Sequence, residues 1–255
     1  MECKKALQEA AGDEEAAIEL LRKAGKAKMV KRADRSTSEG RIAVCVDNEK
    51  QVSAIVELLC ESASVASHEE FIALADDIAK CLVDGPGAAT VEELLTQTSP
   101  SKGTTLQLQF DDLNNRIREV FKLNRFERVE GVCGAYLHHN AAAAALLQIE
   151  GENTDLAKDI CMHTVAMRPE ATKPEDLPAD VVEKEKALLT ETTRAEGKPE
   201  QIIDKIVTGR MNSFFAEKCL IKQPFVKDDS KTVEQAAEEG GIKLIKMFHW
   251  EMKEA

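Results

Sequence analysis

"EGRIAVCVDNEKQVSAIVELLC", residues 39–60, is the stretch on which the fold turns. Its β-branched runs RIAVCV and QVSAIVELLC flank the turn-rich tetrapeptide DNEK, which reads as a β-hairpin over 41–60. The pattern returns as "EGVCGAYLHHNAAAAALLQIEG", residues 130–151, again Glu-Gly, strand, turn, strand. A helix follows each time. Phe71, Leu74, Ala75, Ile78 and Leu82 recur at helical spacing after the first hairpin, and Leu156, Ile160, His163 and Met167 after the second. The spacing between Gly40 and Gly131 therefore points to one hairpin-plus-helix unit used twice.

Outward from this pair, residues 2–24 read as two short helices. Asp13 is the expected N-cap of the second and Gly25 its C-terminal stop. The basic run Lys23 to Arg35 reads as a solvated connection. Ser67 and Glu70 form an expected capping box for the helix after the first hairpin. A further helix is expected over 106–121, with Leu106, Phe110, Leu113, Ile117, Val120 and Phe121 inward. Paired acids such as Glu69-Glu70 and Asp76-Asp77 read as solvated charge, because neighbours on a helix point to different faces. "RPEATKPEDLPAD" holds three prolines and breaks helix. The two segments beyond it, joined by EGKP, predict an antiparallel helical hairpin that projects from the body. "CLIKQPFV", the helical "TVEQAAEEG" and a last strand, "IKLIKMFHWEM", return to the core.

Composition removes several function classes. Thirty-four Lys and Arg stand against 46 Asp and Glu, a net charge of -12, which suits neither nucleic acid nor an anionic membrane. The longest apolar run, "AAAAALL" at 141–147, is too short to span a bilayer, and no signal-peptide pattern opens the chain. Seven cysteines at wide spacing without a CxxC read as reduced core thiols in a cytoplasmic protein. No phosphate loop, nucleophile elbow or metal-helix motif occurs, so neither cofactor nor metal is expected. Five histidines remain: His138 and His139 fall near the second hairpin's turn and read as surface residues, and His163 falls on an apolar helical stripe, where its residue-level reading is a hydrogen-bonded core or edge histidine.

Four stretches carry a family resemblance: "MECKKALQEAAGDEEAAIELLRKAG", "HTVAMRPEATKPEDLPADVVEKE", "GKPEQIIDKIVTGRM" and "KQPFVKDDSKTV". In this order they resemble bacterial translation elongation factor Ts over nearly the whole chain. The resemblance implies a guanine-nucleotide exchange factor without covalent chemistry. Its partner would be GDP-bound elongation factor Tu, whose phosphate and magnesium site it distorts to release GDP. A homodimer stays open as a second partnership. The implied fold is α+β: a small, truncated, ubiquitin-associated-like helical fragment at 1–25, a linker at 26–40, core halves at 41–127 and 128–172, an inserted antiparallel helical hairpin at 173–218, and a return to the second half at 219–255. The chain begins at Met1 inside the matching N-terminal stretch, so the family's usual first helix is not expected, nor is a C-terminal helical module.

The resemblance also assigns partner-binding residues. Members of the family carry Cys-x-Thr-Asp-Phe-Val after the first core hairpin, with Asp and Phe wedged into the partner. This chain has Cys60-Glu61-Ser62-Ala63-Ser64-Val65, so Ala63 and Ser64 replace the acid and the aromatic. The implied set is Ser62, Ala63, Ser64 and Val65, with Met1, Lys4 and Lys5 at the N-terminus and His163 on the core surface facing the partner. The altered wedge leaves a second reading, a binding-only paralogue that holds the GTPase without efficient exchange.

Overall fold

The computed structural model describes residues 2–30 and 35–252, with the backbone alone for 2, 22 and 26–30. Met1 lies outside the described residues. Helices α1 (Glu2–Glu9) and α2 (Glu14–Val30) open the chain, and the Asp13 carboxylate accepts the Ala16 N–H at 3.0 Å as an N-cap. Gly25 does not end α2. The helix continues through 26–30, read above as the start of a linker, and Gly25 packs on Asn115. A Cβ there would fall 2.4 Å from the Asn115 amide, so the missing side chain sets a close approach instead of a stop.

Strands β1 (Glu39–Asp47) and β2 (Val52–Cys60) pair antiparallel from Glu39↔Cys60 to Asp47↔Val52. The Asp47 carboxylate closes their turn by accepting the Lys50 N–H at 2.9 Å. Four helices follow: α3 (Ala63–Ala66), α4 (Glu69–Asp84), α5 (Val91–Thr96) and α6 (Leu106–Ile117). The N-cap of α4 is His68, whose Nδ1 accepts the Glu70 N–H at 3.3 Å. The expected Ser67–Glu70 box is absent because Ser67 caps the C-terminus of α3 and Glu70 pairs with Arg116. Helix α6 stops at Ile117, four residues short of expectation, since Arg118 takes a left-handed φ of 69°. Phe121 is thereby freed to pack edge-on against Phe71 and Phe110, at centroid distances of 5.0 and 5.9 Å. Asp77 is buried, not solvated: its carboxylate accepts from Ser99, Ser101 and Gln109 and ties α4 to the loop before α6.

Strand β3 (Lys122–Glu130), unread in the sequence, pairs antiparallel with β2 and runs past residue 127. The second half repeats this plan. Strands β4 (Val132–Leu137) and β5 (Ala143–Glu150) form the hairpin, and α7 (Thr154–Met167) crosses it. Helices α8 (Ala179–Ala195) and α9 (Glu200–Lys218) then pack on each other through Val182, Leu189, Ile203, Val207 and Met211. After β6 (Pro224–Phe225), β7 (Asp228–Thr232) and α10 (Val233–Glu239), strand β8 (Lys243–Glu251) joins β5. The two main sheets run β1-β2-β3 and β4-β5-β8. The third strand of each meets the second at a bulge, at Glu57/Leu58 and Gln148/Ile149, the same separation as Gly40 and Gly131.

The halves meet sheet on sheet. Ile42, Ile55 and Val129 pack against Cys133, Ala144 and Leu146. Asn48 accepts the Cys133 N–H at 2.9 Å and donates to the Cys133 carbonyl at 3.0 Å. The Arg125 guanidinium lies 4.4 Å over the Trp250 ring while its Nε donates to buried Glu57.

Candidate functional site

The loop after β2 is built by two glutamates that exchange grips. Oε2 of Glu119 accepts the N–H groups of Glu61 at 3.2 Å and Ser62 at 3.1 Å, and its Oε1 accepts the Ser62 hydroxyl at 2.6 Å. Oε1 of Glu61 accepts the Val120 N–H at 2.7 Å in return, and Arg35 pairs with the same carboxylate at 3.2 Å. Ahead of the loop, the buried Cys60 thiol donates to the Ser62 carbonyl, and burial pushes its pKa up to about 12, so it stays protonated and inert. Behind it, Val65 plugs the first core. Between these anchors Ala63 and Ser64 are exposed. The loop is thus a fixed tip with two small side chains outward.

His163 agrees with the residue-level reading of a hydrogen-bonded core histidine and not with the surface place that the resemblance implies. Its side chain is wholly buried, at 0% exposure, because the segment returning from α9 folds over the stripe of α7. Nδ1 accepts the Val226 N–H at 3.2 Å, so the ring proton sits on Nε2 and goes to the Gln223 carbonyl oxygen at 2.9 Å. Gln223 in turn donates to the Glu217 carbonyl at the end of α9. Burial first, opposed by the Gln223 bond, holds the His163 pKa below its ordinary value, which favours the neutral ring that these partners require. The exposed apolar residues at this place are Val226, 53% exposed, whose N–H His163 holds, and Met162 on α7, 36% exposed. Lys227 pins the same turn to α7 through Asp159 at 2.6 Å. Sequence reasoning missed Val226 and Met162. The signal for Val226 was an apolar residue beside a polar turn in "QPFVKDD"; Met162 had none.

Val65 belongs to the first core and Phe225, against which His163 packs, to the second; the fold does not join the tip and His163 in one pocket. Lys4 and Lys5 are exposed on α1, and Lys5 borders an open cleft of about 1100 Å³ between the N-terminal helices and α6. His138 is partly exposed and shares a hydrogen bond of 3.1 Å with the Tyr136 hydroxyl, and His139 is exposed. Among the described residues no group of three or more His, Cys, Asp and Glu could hold a metal ion, and no helix is long and apolar enough to cross a membrane.

Two sheets of matched connectivity, a clamped tip and a helix pair spliced between α7 and β8 define the class: a duplicated α+β protein that presents a fixed loop to its surroundings. Sequence comparison gives the particular family. The family model described as "Elongation factor TS" matches residues 61–254. The chain is 38% identical to "Elongation factor Ts" of Thioalkalivibrio sulfidiphilus, covering 100% of this chain and 87% of the relative. Identity is 38% to the protein of that name from Methylococcus capsulatus, with 100% and 87% covered, and 37% to that of Aquifex aeolicus, with 97% and 90% covered. The chain belongs to the elongation factor Ts family, a family of translation elongation factors.

Proposed function

We propose that this protein is a guanine-nucleotide exchange factor for GDP-bound elongation factor Tu. It works in the cytoplasm by binding alone, with an altered tip and without covalent chemistry. The observation that carries the reading is the tip: Glu119 and Glu61 hold its backbone as an outward-facing platform at the position of the family's wedge. Lys4 and Lys5, with Met1, would anchor the partner through the N-terminal helices, a truncated ubiquitin-associated-like unit. Helices α8 and α9 would be an antiparallel hairpin inserted in the second half. His163 would act through Val226 and not by touching the partner.

The small side chains of Ala63 and Ser64 favour one other reading, a binding-only paralogue. A Phe buried only in the distorted, nucleotide-weak state contributes roughly 1.5–3 kcal/mol, about one to two decades in GDP release. Without that group, exchange must be slower or draw on other contacts. Stopped-flow release of a fluorescent GDP analogue from the cognate GTPase separates the readings. Acceleration at saturating factor is the expected result. A stable complex with an unchanged release rate would establish the binding-only protein.

A further inference from the structure

The hydroxyl protons at the tip can be assigned by counting. Ser62 has one hydroxyl proton, and at 2.6 Å it goes to the Glu119 carboxylate, which has none to give in return. Ser62 Oγ also lies 3.0 Å from Ser64 Oγ. With the Ser62 proton already committed, Ser64 is the donor in that second bond. The chain therefore runs Ser64 to Ser62 to Glu119, and each hydroxyl polarises the next. Ser64 is exposed, and its lone proton is spent inward. Only acceptor lone pairs face outward.

We propose that Ser64 Oγ is an oriented hydrogen-bond acceptor and a specificity-determining group of the tip, fixed through Ser62 by the charge of Glu119. The partner group that it selects is a hydrogen-bond donor: a main-chain N–H, a Lys or Arg side chain, or a water held by a cation. The tip has lost a carboxylate and an aromatic ring relative to the family pattern, yet it keeps acceptor character, supplied from Glu119 behind the loop. The backbone platform and the acceptor are separable. The N–H groups of Glu61 and Ser62 bind Glu119 Oε2, whereas the hydroxyl chain uses Oε1.

This inference rests on the exchange reading, and its test uses three variants of the full chain with the cognate GTPase. Ser64→Ala deletes the acceptor, Ser64→Thr keeps it, and Ser62→Ala cuts the chain while leaving the backbone bonds to Glu119 in place. The expected result is a release rate at saturating factor about three- to tenfold lower for Ser64→Ala, the size of one net hydrogen bond. Ser64→Thr should return close to the parent rate. Ser62→Ala should lower the rate in part, and Ser64→Ala should add less to Ser62→Ala than to the parent. Thermal midpoints of Ser64→Ala and Ser64→Thr should stay near the parent value, since a merely structural role would move them; Ser62→Ala also removes a hydrogen bond to a carboxylate and is read by its coupling to Ser64→Ala. A parent-like rate for Ser64→Ala, or strictly additive losses for the pair, overturns the proposal. If the parent binds the GTPase without accelerating release, the exchange reading fails alone, and the same comparisons are read on dissociation constants. If the parent does not bind the GTPase, both fall.

Discussion

A buried ring with both nitrogens engaged fits in one protonation state only. His163 donates from Nε2 and accepts at Nδ1, so a second proton would face the Val226 N–H. Burial also holds the His249 ring below its ordinary pKa, on β8 beside Glu251, Arg168 and Arg125. The sign of the resulting pH dependence follows from these lowered values. The unfolded chain takes its protons near pH ~6.5 and the native chain only at lower pH. Stability is therefore full above that value, falls as pH drops through the window below it, and levels off once the native rings are protonated as well. Thermal midpoints measured from about pH 7.5 to about pH 5 should fall accordingly. Asn at position 163 keeps a short side-chain oxygen toward the Val226 N–H but has no proton to gain. His163→Asn should therefore lose less stability on acidification than the parent, whatever its stability at neutral pH, and an equal acid-side loss in both would assign the effect to other groups. The stripe that carries His163 was legible in the sequence. Its partners were not, because the covering residues 223–226 lie about sixty positions away.

Among the elements, α7 depends on a residue it does not contain. Gly134 on β4 leaves room for the helix: a Cβ there would meet the Ala157 Cβ at 2.5 Å and its carbonyl carbon at 2.6 Å. Backbone cannot yield as a side-chain tip can, so Gly134→Ala should cost about 1–3 kcal/mol in denaturant unfolding by overpacking. A neutral result would mean that α7 slides freely on its sheet. Helices α8 and α9 have a cluster of their own and a closed neck, where the Leu220 N–H reaches the Ala171 carbonyl at 2.9 Å and Ala171 pairs with Cys219. Replacing residues 181–215 by a short Gly/Ser link should therefore leave one cooperative thermal transition. An unfolded remainder would put Phe214 and Phe215 among the residues that the main cores need. The N-terminal pair buries Ala6 and Ala17 but exposes Leu7 and Ile18, an apolar face too thin for independent stability. Hydrogen exchange across 2–24 should be weakly protected in the free protein and slower with the GTPase bound. Strong protection in both states would show that the packing against α6 suffices.

For the whole molecule, the two halves share an apolar seam, the Asn48 clamp on Cys133 and the Arg125–Trp250 stack. They should unfold together, with Trp250 fluorescence and far-ultraviolet dichroism following one curve. Asn48→Ala strands the main-chain N–H and carbonyl of Cys133 at that seam and should cost about 1–3 kcal/mol. Separate fluorescence and dichroism transitions in the parent would mean that the seam does not couple the halves.

The sequence by itself determined the repeated hairpins, the helices of strong periodicity, the acidic surface and the family. Each of these is written in local periods of two or 3.6, in composition, or in contiguous words. Only the tertiary structure decided where α6 ends, that β3 completes the first sheet, that Gly25 is a contact and not a stop, that Asp77 is buried, and which residues cover His163. It also decided that the tip is held rigid by Glu119. The reason is the same in every case: the deciding partner is distant in the chain. Glu119 stands beyond four helices from Ser62, and no local pattern tells a carboxylate which backbone it will grip.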